Sequence, residues 1–144
     1  MNIQIKTLGE KDLDILLSSG PDVFDNNIKP DMAKAYLARD DYFIVVALDK
    51  DKVIGMASGF TYFHPDKAVE FFVNEAGVHD DYLRQGIAKR LMAALFESAR
   101  EIGCTYCWLA TETDNVAANG LYRSLNGKEQ QMNYFEFDLS KTEK

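Results

Sequence analysis

The stretch Val78-His79-Asp80-Asp81-Tyr82-Leu83-Arg84-Gln85-Gly86-Ile87-Ala88 joins an apolar strand to a helix through a polar loop. Gly86 and Ala88 are small, so the backbone can approach a ligand closely where the helix begins. The first turn of a helix carries unpaired N–H groups and partial positive charge. The loop is therefore predicted to hold an anion such as a diphosphate, although a junction of this kind can also be only a tight turn.

Two other blocks support a ligand site. Asn74-Glu75-Ala76-Gly77-Val78 places a carboxylate and a glycine inside a strand that is predicted to be buried. A glycine within a strand indicates a bulge or the close approach of another chain. Asn115-Val116-Ala117-Ala118-Asn119-Gly120-Leu121-Tyr122-Arg123-Ser124-Leu125-Asn126-Gly127 opens a second helix after one intervening strand. Both blocks are therefore expected to face one cleft.

The remaining periodicity predicts a mixed α/β fold. Strands are predicted at residues 3–7, 42–48, 53–60, 69–78, 106–110 and 132–139, and helices at 10–18, 30–38, 86–101 and from about 115 to a stop at Gly127. The long helix has an apolar face, which consists of Ile87, Leu91, Ala94, Leu95, Ser98 and Ile102. No repeat or linker interrupts the chain, so residues 1–144 are predicted to form a single domain with a flexible tail at about 140–144.

These blocks resemble the GCN5-related N-acetyltransferase (GNAT) superfamily. Residues 83–88 correspond to its pyrophosphate loop, Arg/Gln-x-x-Gly-x-Gly/Ala, except that Leu83 stands at the first position and Arg84 lies beside it. Its later block, Asn-x-x-Ala-x-x-Leu-Tyr-x-x-x-Gly, is matched by Asn115, Ala118, Leu121, Tyr122 and, with slightly longer spacing, Gly127. The resemblance implies one N-acetyltransferase domain. Its mostly antiparallel central sheet would be flanked by helices and split into a V between the strands near 78 and 106.

The resemblance also implies acetyl-coenzyme A as the cosubstrate, with no metal. The pyrophosphate would lie on Arg84, Gln85, Gly86, Ile87 and Ala88, and the pantetheine arm would pair with Ala76, Gly77 and Val78 as an added strand does. Three residues of the second helix are also expected at the cofactor: Asn115, Ala118 and Tyr122. Asn115 can equally be an ordinary helix N-cap without a ligand.

Two residues are candidates for catalysis. An amine acceptor is mostly protonated at neutral pH, so a carboxylate that holds the ammonium and accepts its proton, directly or through water, is needed. Glu75 is predicted to do this, and the alternative is an ordinary solvated or ion-paired carboxylate. The resemblance implies that Tyr122 protonates the departing CoA sulfur, the alternative being a core tyrosine. A backbone N–H near Val78 would stabilise the oxyanion.

The substrate is predicted to be cationic. The net charge is −7, which slightly favours cationic ligands, and Glu136 on the last predicted strand is a second candidate substrate-binding carboxylate, or else faces solvent. Within the superfamily the sequence is most similar to aminoglycoside 3-N-acetyltransferases, which implies an antibiotic-resistance enzyme. A polyamine, an amino acid, a protein amine or a non-catalytic acyl-CoA-binding module are the alternatives.

Composition excludes other classes. An acidic chain is a poor nucleic-acid partner, and the sequence has neither a run of about 20 apolar residues nor a signal-peptide pattern, so a cytoplasmic protein is predicted. Cys104-Thr105-Tyr106-Cys107 lacks a second pair for zinc, so two free cysteines are expected. A homodimer is left open.

Overall fold

A single β-sheet organises the chain in a computed structural model that describes residues 2–140. The strands are β1 (Ile3–Thr7), β2 (Tyr42–Asp49), β3 (Lys52–Tyr62), β4 (Glu70–Val78) and β5 (Cys107–Trp108), and the α-helices are α1 (Leu13–Leu17), α2 (Pro30–Ala38), α3 (Ile87–Glu101) and α4 (Val116–Ser124). The sheet order is β1-β2-β3-β4-β5, antiparallel from β1 to β4, with β5 parallel to β4. This is the mixed, mostly antiparallel sheet with flanking helices that the sequence predicts.

Helices cover both faces of this sheet. On one face α3 buries an apolar stripe, consisting of Ile87, Leu91, Met92, Leu95 and Ala99. On the other face residues of α1 and α2, such as Leu16 and Leu37, share a buried cluster with Val46 and Met56 of the sheet. Each fully buried side chain of this kind contributes roughly 1.5–3 kcal/mol through the apolar surface removed from water.

The pairing of β3 with β4 contains an irregularity that matters for the site. Ser58 pairs with Glu75, whereas the next residue, Gly59, pairs with Val73, so Asn74 has no partner of its own. One strand thus carries an extra residue, which is the definition of a β-bulge. A bulge was one of the two explanations that the glycine in this strand suggested.

Two predicted strands and one predicted helix-face residue differ clearly from the structure. The closing strand predicted at 132–139 is wrong, because the sheet of residues 2–140 ends at β5. The strand predicted at 106–110 is shorter, and Ile102, predicted to lie on the apolar face of the long helix, is 46% exposed because α3 ends at Glu101. The predicted tail lies outside the described residues apart from Ser140, whose N–H donates to Asp138.

The chain groups into two compact units, Met1–Glu112 and Thr113–Lys144. The first contains all five strands and helices α1 to α3, and the second contains α4 and the residues after it. A single domain over residues 1–144 therefore stays a prediction.

Candidate active site

The loop before α3 forms a backbone cradle. Gly86 is the N-cap of α3 with a φ of 75°, and Arg84 also has a positive φ of 64°. A Cβ built on Gly86 would meet no atom within 4 Å, so the space beside it is open. No side chain caps the helix, and its first turn contains no acidic residue. Free N–H groups, open space and the absence of negative charge fit a diphosphate at this helix N-terminus.

β4 precedes this loop in the sequence, and one edge of β4 is unpaired over most of its length. β4 pairs with β5 only at Phe71 and Phe72, so the edge from Val73 to Val78 has no strand partner among residues 2–140. The two strands diverge there, as the predicted V-shaped split requires. An extended ligand with amide groups, such as pantetheine, can pair with an open edge of this kind.

The Val78 N–H points to the open edge. His79 donates its N–H to the Ile54 carbonyl on the β3 side, at 2.8 Å. Successive peptide groups of a strand point to opposite edges, so the N–H of Val78 points away from β3. A reacting carbonyl on the open side of β4 would find a hydrogen-bond donor there.

The point at which the strands diverge is held by a hydrogen-bonded aromatic pair. The Trp108 indole donates to the Tyr62 hydroxyl at 2.5 Å, and that hydroxyl donates to Glu70 at 2.8 Å. The Trp108 ring also packs on Phe72, with centroids 4.6 Å apart. These contacts tie β5 to β3 and β4 at their one paired end, and so fix where the split begins.

The bulge at Asn74 decides which face Glu75 occupies. Gly55 and Gly59 of β3 share one face of the sheet. A Cβ on Gly55 would contact Leu91 of α3, and a Cβ on Gly59 would clash with Phe71. Phe71 therefore lies on the face that α3 covers. Strict alternation would put Glu75 on that buried side too. The extra residue instead places Glu75 opposite Ser58, on the face that carries α1 and α2.

Burial raises the pKa of Glu75 above the ordinary carboxylate range, and the negative charge of Asp25 raises it further. Glu75 is therefore a half-buried carboxylate with more proton affinity than a solvated one. A base that accepts a proton from an ammonium needs this property, because general base catalysis improves as the pKa of the base approaches the working pH.

The neighbours of Glu75 include residues that the sequence did not indicate. Asp25 lies in the loop between α1 and α2, and Tyr36 lies on α2. Burial raises the pKa of Tyr36 to about 12, with a contribution from the charge of Glu75, so this hydroxyl stays protonated. It donates to the Phe43 carbonyl at 2.7 Å. The turn-forming run Asp25-Asn26-Asn27 was the only available signal, and by itself it indicates just a turn.

The same loop explains Gly77. A Cβ on Gly77 would lie 3.1 Å from the carbonyl oxygen of Val23, which is tighter than an ordinary contact. The loop between α1 and α2 thus approaches β4 at the glycine that follows Glu75 and Ala76. The close approach at Gly77 therefore comes from a loop of the same chain, whereas the sequence suggested a bulge or the approach of another chain.

The other predicted residues lie in the second unit. Asn115 is the N-cap of α4, and its side-chain oxygen accepts the N–H of Ala118 at 3.0 Å. The capping role is thus confirmed, while a contact between the Asn115 side chain and a cofactor stays a prediction. Burial raises the pKa of Tyr122, so its hydroxyl stays protonated well above neutral pH. α4 ends at Ser124, and the left-handed residue after it is Asn126, with a φ of 65°, rather than the predicted Gly127, whose N–H donates to the Tyr122 carbonyl at 3.0 Å.

Glu136 is exposed and lies in the segment after α4 that forms no strand. The Tyr134 hydroxyl donates to it at 3.3 Å. A substrate-binding role for Glu136 stays a prediction.

The two cysteines are free thiols. Cys104 is buried. Burial, and then the nearby Cys104, raise the pKa of Cys107 to about 11. The Cys107 thiol is therefore neutral and a poor nucleophile. Among the described residues, no group of three or more His, Cys, Asp or Glu side chains could hold a metal ion. No helix within residues 2–140 is long and apolar enough to cross a membrane.

The half-buried Glu75 thus lies on the strand with the open edge, and the loop to the uncapped N-terminus of α3 follows that strand. Residues 13–127 match the acetyltransferase (GNAT) family, and the chain belongs to that family. Human N-acetyltransferase 8 is 31% identical over 108 residues, which cover 73% of this chain and 47% of that protein. The chain therefore spans about half the length of the curated relatives it matches.

Solved structures share the fold at low sequence identity. An aminoglycoside acetyltransferase from an uncultured soil metagenomic sample, in complex with sisomicin, superposes with a TM-score of 0.84 at 19% identity, covering 95% of this chain and 96% of the other. AAC(6′)-Iy in complex with a CoA–acetylneamine bisubstrate analogue has a TM-score of 0.81 at 16% identity, covering 96% and 99%. Its name specifies the 6′ position, so the expected 3-N regiochemistry stays a prediction.

Proposed function

We propose that this protein is an acetyl-CoA-dependent N-acetyltransferase that modifies a primary amine. The observation that carries the proposal is the open edge of β4, which runs from beside Glu75 toward the cradle at Gly86. One extended cofactor can thus pair its amide arm with the strand and place its diphosphate on the helix N-terminus. The family to which the chain belongs supports this use of the two features.

The reaction proceeds by direct transfer in a ternary complex. Glu75 accepts a proton from the substrate ammonium, directly or through water, and the free amine attacks the thioester carbonyl. The Val78 N–H stabilises the oxyanion that forms. As the tetrahedral intermediate collapses, the carbon–sulfur bond breaks and Tyr122 donates its proton to the sulfur. The attacking nitrogen releases its second proton to solvent, from which Tyr122 is reprotonated. The products are an amide and CoA with a free thiol.

The acceptor is a polycationic small molecule such as an aminoglycoside. Asp25 and Glu75 are near enough for the charge of one to raise the pKa of the other. Two adjacent carboxylates gain from a ligand with several ammonium groups, because the ligand relieves their mutual repulsion. Glu136 adds a third acidic group if it joins the same site. The soil enzyme in complex with sisomicin supports an aminoglycoside, and a polyamine satisfies the same electrostatics.

A panel assay tests this function. Thiol release from acetyl-CoA is measured with gentamicin-like aminoglycosides, spermidine, amino acids and a lysine-bearing peptide, at low and high salt. We expect turnover with polycations and a KM that rises with salt, because ion pairing at a partly exposed site is screened. A rate confined to neutral or acidic amines contradicts the cationic site. CoA binding without turnover on any amine favours the non-catalytic acyl-CoA-binding module.

The panel also separates the substrate classes. A rate on spermidine but not on aminoglycosides retains the acidic acceptor site and excludes an antibiotic-resistance enzyme. Product analysis by NMR then assigns the acetylated nitrogen, which decides between 3-N and 6′ transfer. A cytoplasmic location and a homodimer belong to the same proposal.

A further inference from the structure

A row of aromatic side chains crosses the sheet on the face that carries α1 and α2. Each member pairs with the next across neighbouring strands: Tyr42 of β2, Phe60 of β3, Phe72 of β4 and Trp108 of β5. The ring centroids of successive members lie 5.4, 5.4 and 4.6 Å apart, which is the range of favourable aromatic contacts. These four residues form the aromatic row, and all of them belong to the first compact unit.

The aromatic row shares its face of the sheet with Glu75. Ser58 and Phe60 are two residues apart on β3, so their side chains point to the same face. Glu75 lies opposite Ser58, and Phe72 lies opposite Phe60. The bulge at Asn74 is what brings Glu75 onto this face. The carboxylate and the aromatic row are therefore separated by two residues of strand, about 7 Å.

The sheet beyond Glu75, on the side away from the aromatic row, is closed. Met56 comes next on this face and is buried in the cluster with α1 and α2. Its partner on β4 is Gly77, whose Cβ position would lie 3.1 Å from the Val23 carbonyl oxygen. The two middle members of the aromatic row are only half-buried. An acceptor whose amine lies at Glu75 therefore extends over the aromatic row.

Both ends of the aromatic row are held in place by neighbouring side chains. At one end, Tyr36 of α2 makes an edge contact with the Tyr42 ring at 5.1 Å, and the Arg39 guanidinium lies 4.8 Å above that ring. At the other end, the Trp108 indole donates to the Tyr62 hydroxyl. Rings that are already fixed lose little freedom when a ligand packs on them, which favours binding. The middle of the row is thus a preformed apolar floor.

We propose that the acceptor is a primary amine carried on a ring, whose apolar face packs on Phe60 and Phe72 while its ammonium group lies at Glu75. The inference rests on the proposed acetyltransferase function and narrows its substrate class. An amine one to three bonds from a ring spans the distance of about 7 Å between Glu75 and the aromatic row. A linear polyamine satisfies only the carboxylates, whereas a ring gains contacts with the row as well. Aryl rings and sugar rings both present such a face.

Matched pairs of amines with one ammonium group each test this substrate class. Thiol release from acetyl-CoA is measured for 2-phenylethylamine against n-hexylamine, and for glucosamine against open-chain glucamine. We expect kcat/KM to be about tenfold higher for the ring member of at least one pair, because contacts between aromatic rings add to the effect of apolar area. The pair that shows the preference identifies an aryl or a sugar ring. Equal values within both pairs, or a preference for the linear members, overturn the proposal.

A variant locates the ring contact at the aromatic row. Phe72→Leu keeps an apolar side chain but removes the aromatic face, so the ratio of kcat/KM for the ring amine to that for its linear partner should fall by about three- to tenfold. This ratio does not depend on the fraction of the variant that folds. The matched control is Phe63→Leu, at an exposed aromatic residue outside the row, and it should leave the ratio unchanged. An unchanged ratio in Phe72→Leu overturns the proposal.

Binding without turnover separates this inference from the acetyltransferase proposal. Trp108 is the only tryptophan of the chain and lies against Phe72, so a ring that packs on the aromatic row should change its fluorescence. The full chain is titrated, with and without CoA, with 2-cyclohexylethylamine, glucosamine and the two linear amines. A saturable change with a ring amine alone supports the ring site even if no amine is acetylated. Equal responses to ring and linear amines, or no saturable response, overturn it even if linear amines are acetylated.

Discussion

Glu75 lies directly opposite Ser58 in the pairing of β3 with β4, at the last position before the register shifts. The extra residue Asn74 allows Glu75 to leave the side of the sheet that α3 covers, where a carboxylate would be buried among apolar side chains. Half-burial beside Asp25 still raises its pKa. A role of Glu75 as general base depends on this placement.

Glu75→Gln should lower kcat by about 10²- to 10⁴-fold with a smaller effect on CoA affinity, because the amide cannot accept the ammonium proton. Thiol-release kinetics and calorimetry with CoA measure the two quantities. Glu101→Gln, an exposed carboxylate at the end of α3, is the matched control and should leave turnover unchanged. Equal turnover numbers for the two variants would indicate that Glu75 is a structural carboxylate and not the base.

Glu75→Gln should also raise thermal stability at pH 8. The pKa of Glu75 is higher in the folded state than in the unfolded chain, so the folded state binds the proton more tightly. Wild-type stability is therefore lost as pH rises from the unfolded pKa through the folded pKa, and the neutral amide avoids that loss. Calorimetry should show a Tm higher by roughly 1–3 °C at pH 8, and the difference should shrink toward pH 5. A constant difference would argue against burial of the charge.

Asp25→Asn should move the acid limb of the kcat/KM profile to lower pH. The negative charge of Asp25 raises the pKa of Glu75, so the Asn variant should have a lower Glu75 pKa. Glu75 then becomes ionised, and able to act as a base, at a lower pH. A pH series from 5 to 9 on an amine substrate measures the shift. Asp51→Asn, in the β2–β3 turn, is the control and should not shift the limb. A shift to higher pH would contradict the placement of Asp25.

Gly86→Val should weaken CoA binding by tenfold or more. The side chain would fill the open space of the cradle, and it would also strain a backbone with a φ of 75°. Gly103→Val, after the other end of α3, separates these effects, since Gly103 also has a positive φ of 93° and open space beside it. The cradle is supported if both variants lose a similar amount of stability but only Gly86→Val loses affinity for CoA. Unchanged affinity in Gly86→Val would show that the diphosphate lies elsewhere.

Tyr122→Phe should lower kcat by about 10- to 10³-fold with little change in CoA affinity, as expected for loss of a general acid. Burial raises the pKa of Tyr122, so the hydroxyl retains its proton for donation at neutral pH. Tyr106→Phe, at an exposed tyrosine of the first unit, serves as the control. Single-turnover measurements should place the loss in the chemical step. A rate equal to wild type would assign Tyr122 to packing alone.

The sequence predicted the part of the site that local backbone chemistry determines. A polar loop followed by Gly86 and Ala88 specifies a helix N-terminus with free N–H groups, and the structure has one with an uncapped first turn. Asn115 has the position and chemistry of an N-cap, and it caps α4. Such features depend on a few neighbouring residues, so a single sequence contains the information.

Long-range packing decided the rest. Alternation along the strand could not place Glu75, because the bulge at Asn74 arises from the pairing of β4 with β3 and reverses the faces after it. Asp25 and Tyr36 come to Glu75 only when the loop between α1 and α2 packs on β4 near Gly77. The prediction of a closing strand at 132–139 was wrong because it too depends on long-range pairing. Residues 132–139 have the pattern of a strand, but a strand forms only where another edge supplies its hydrogen bonds, and within residues 2–140 the sheet ends at β5.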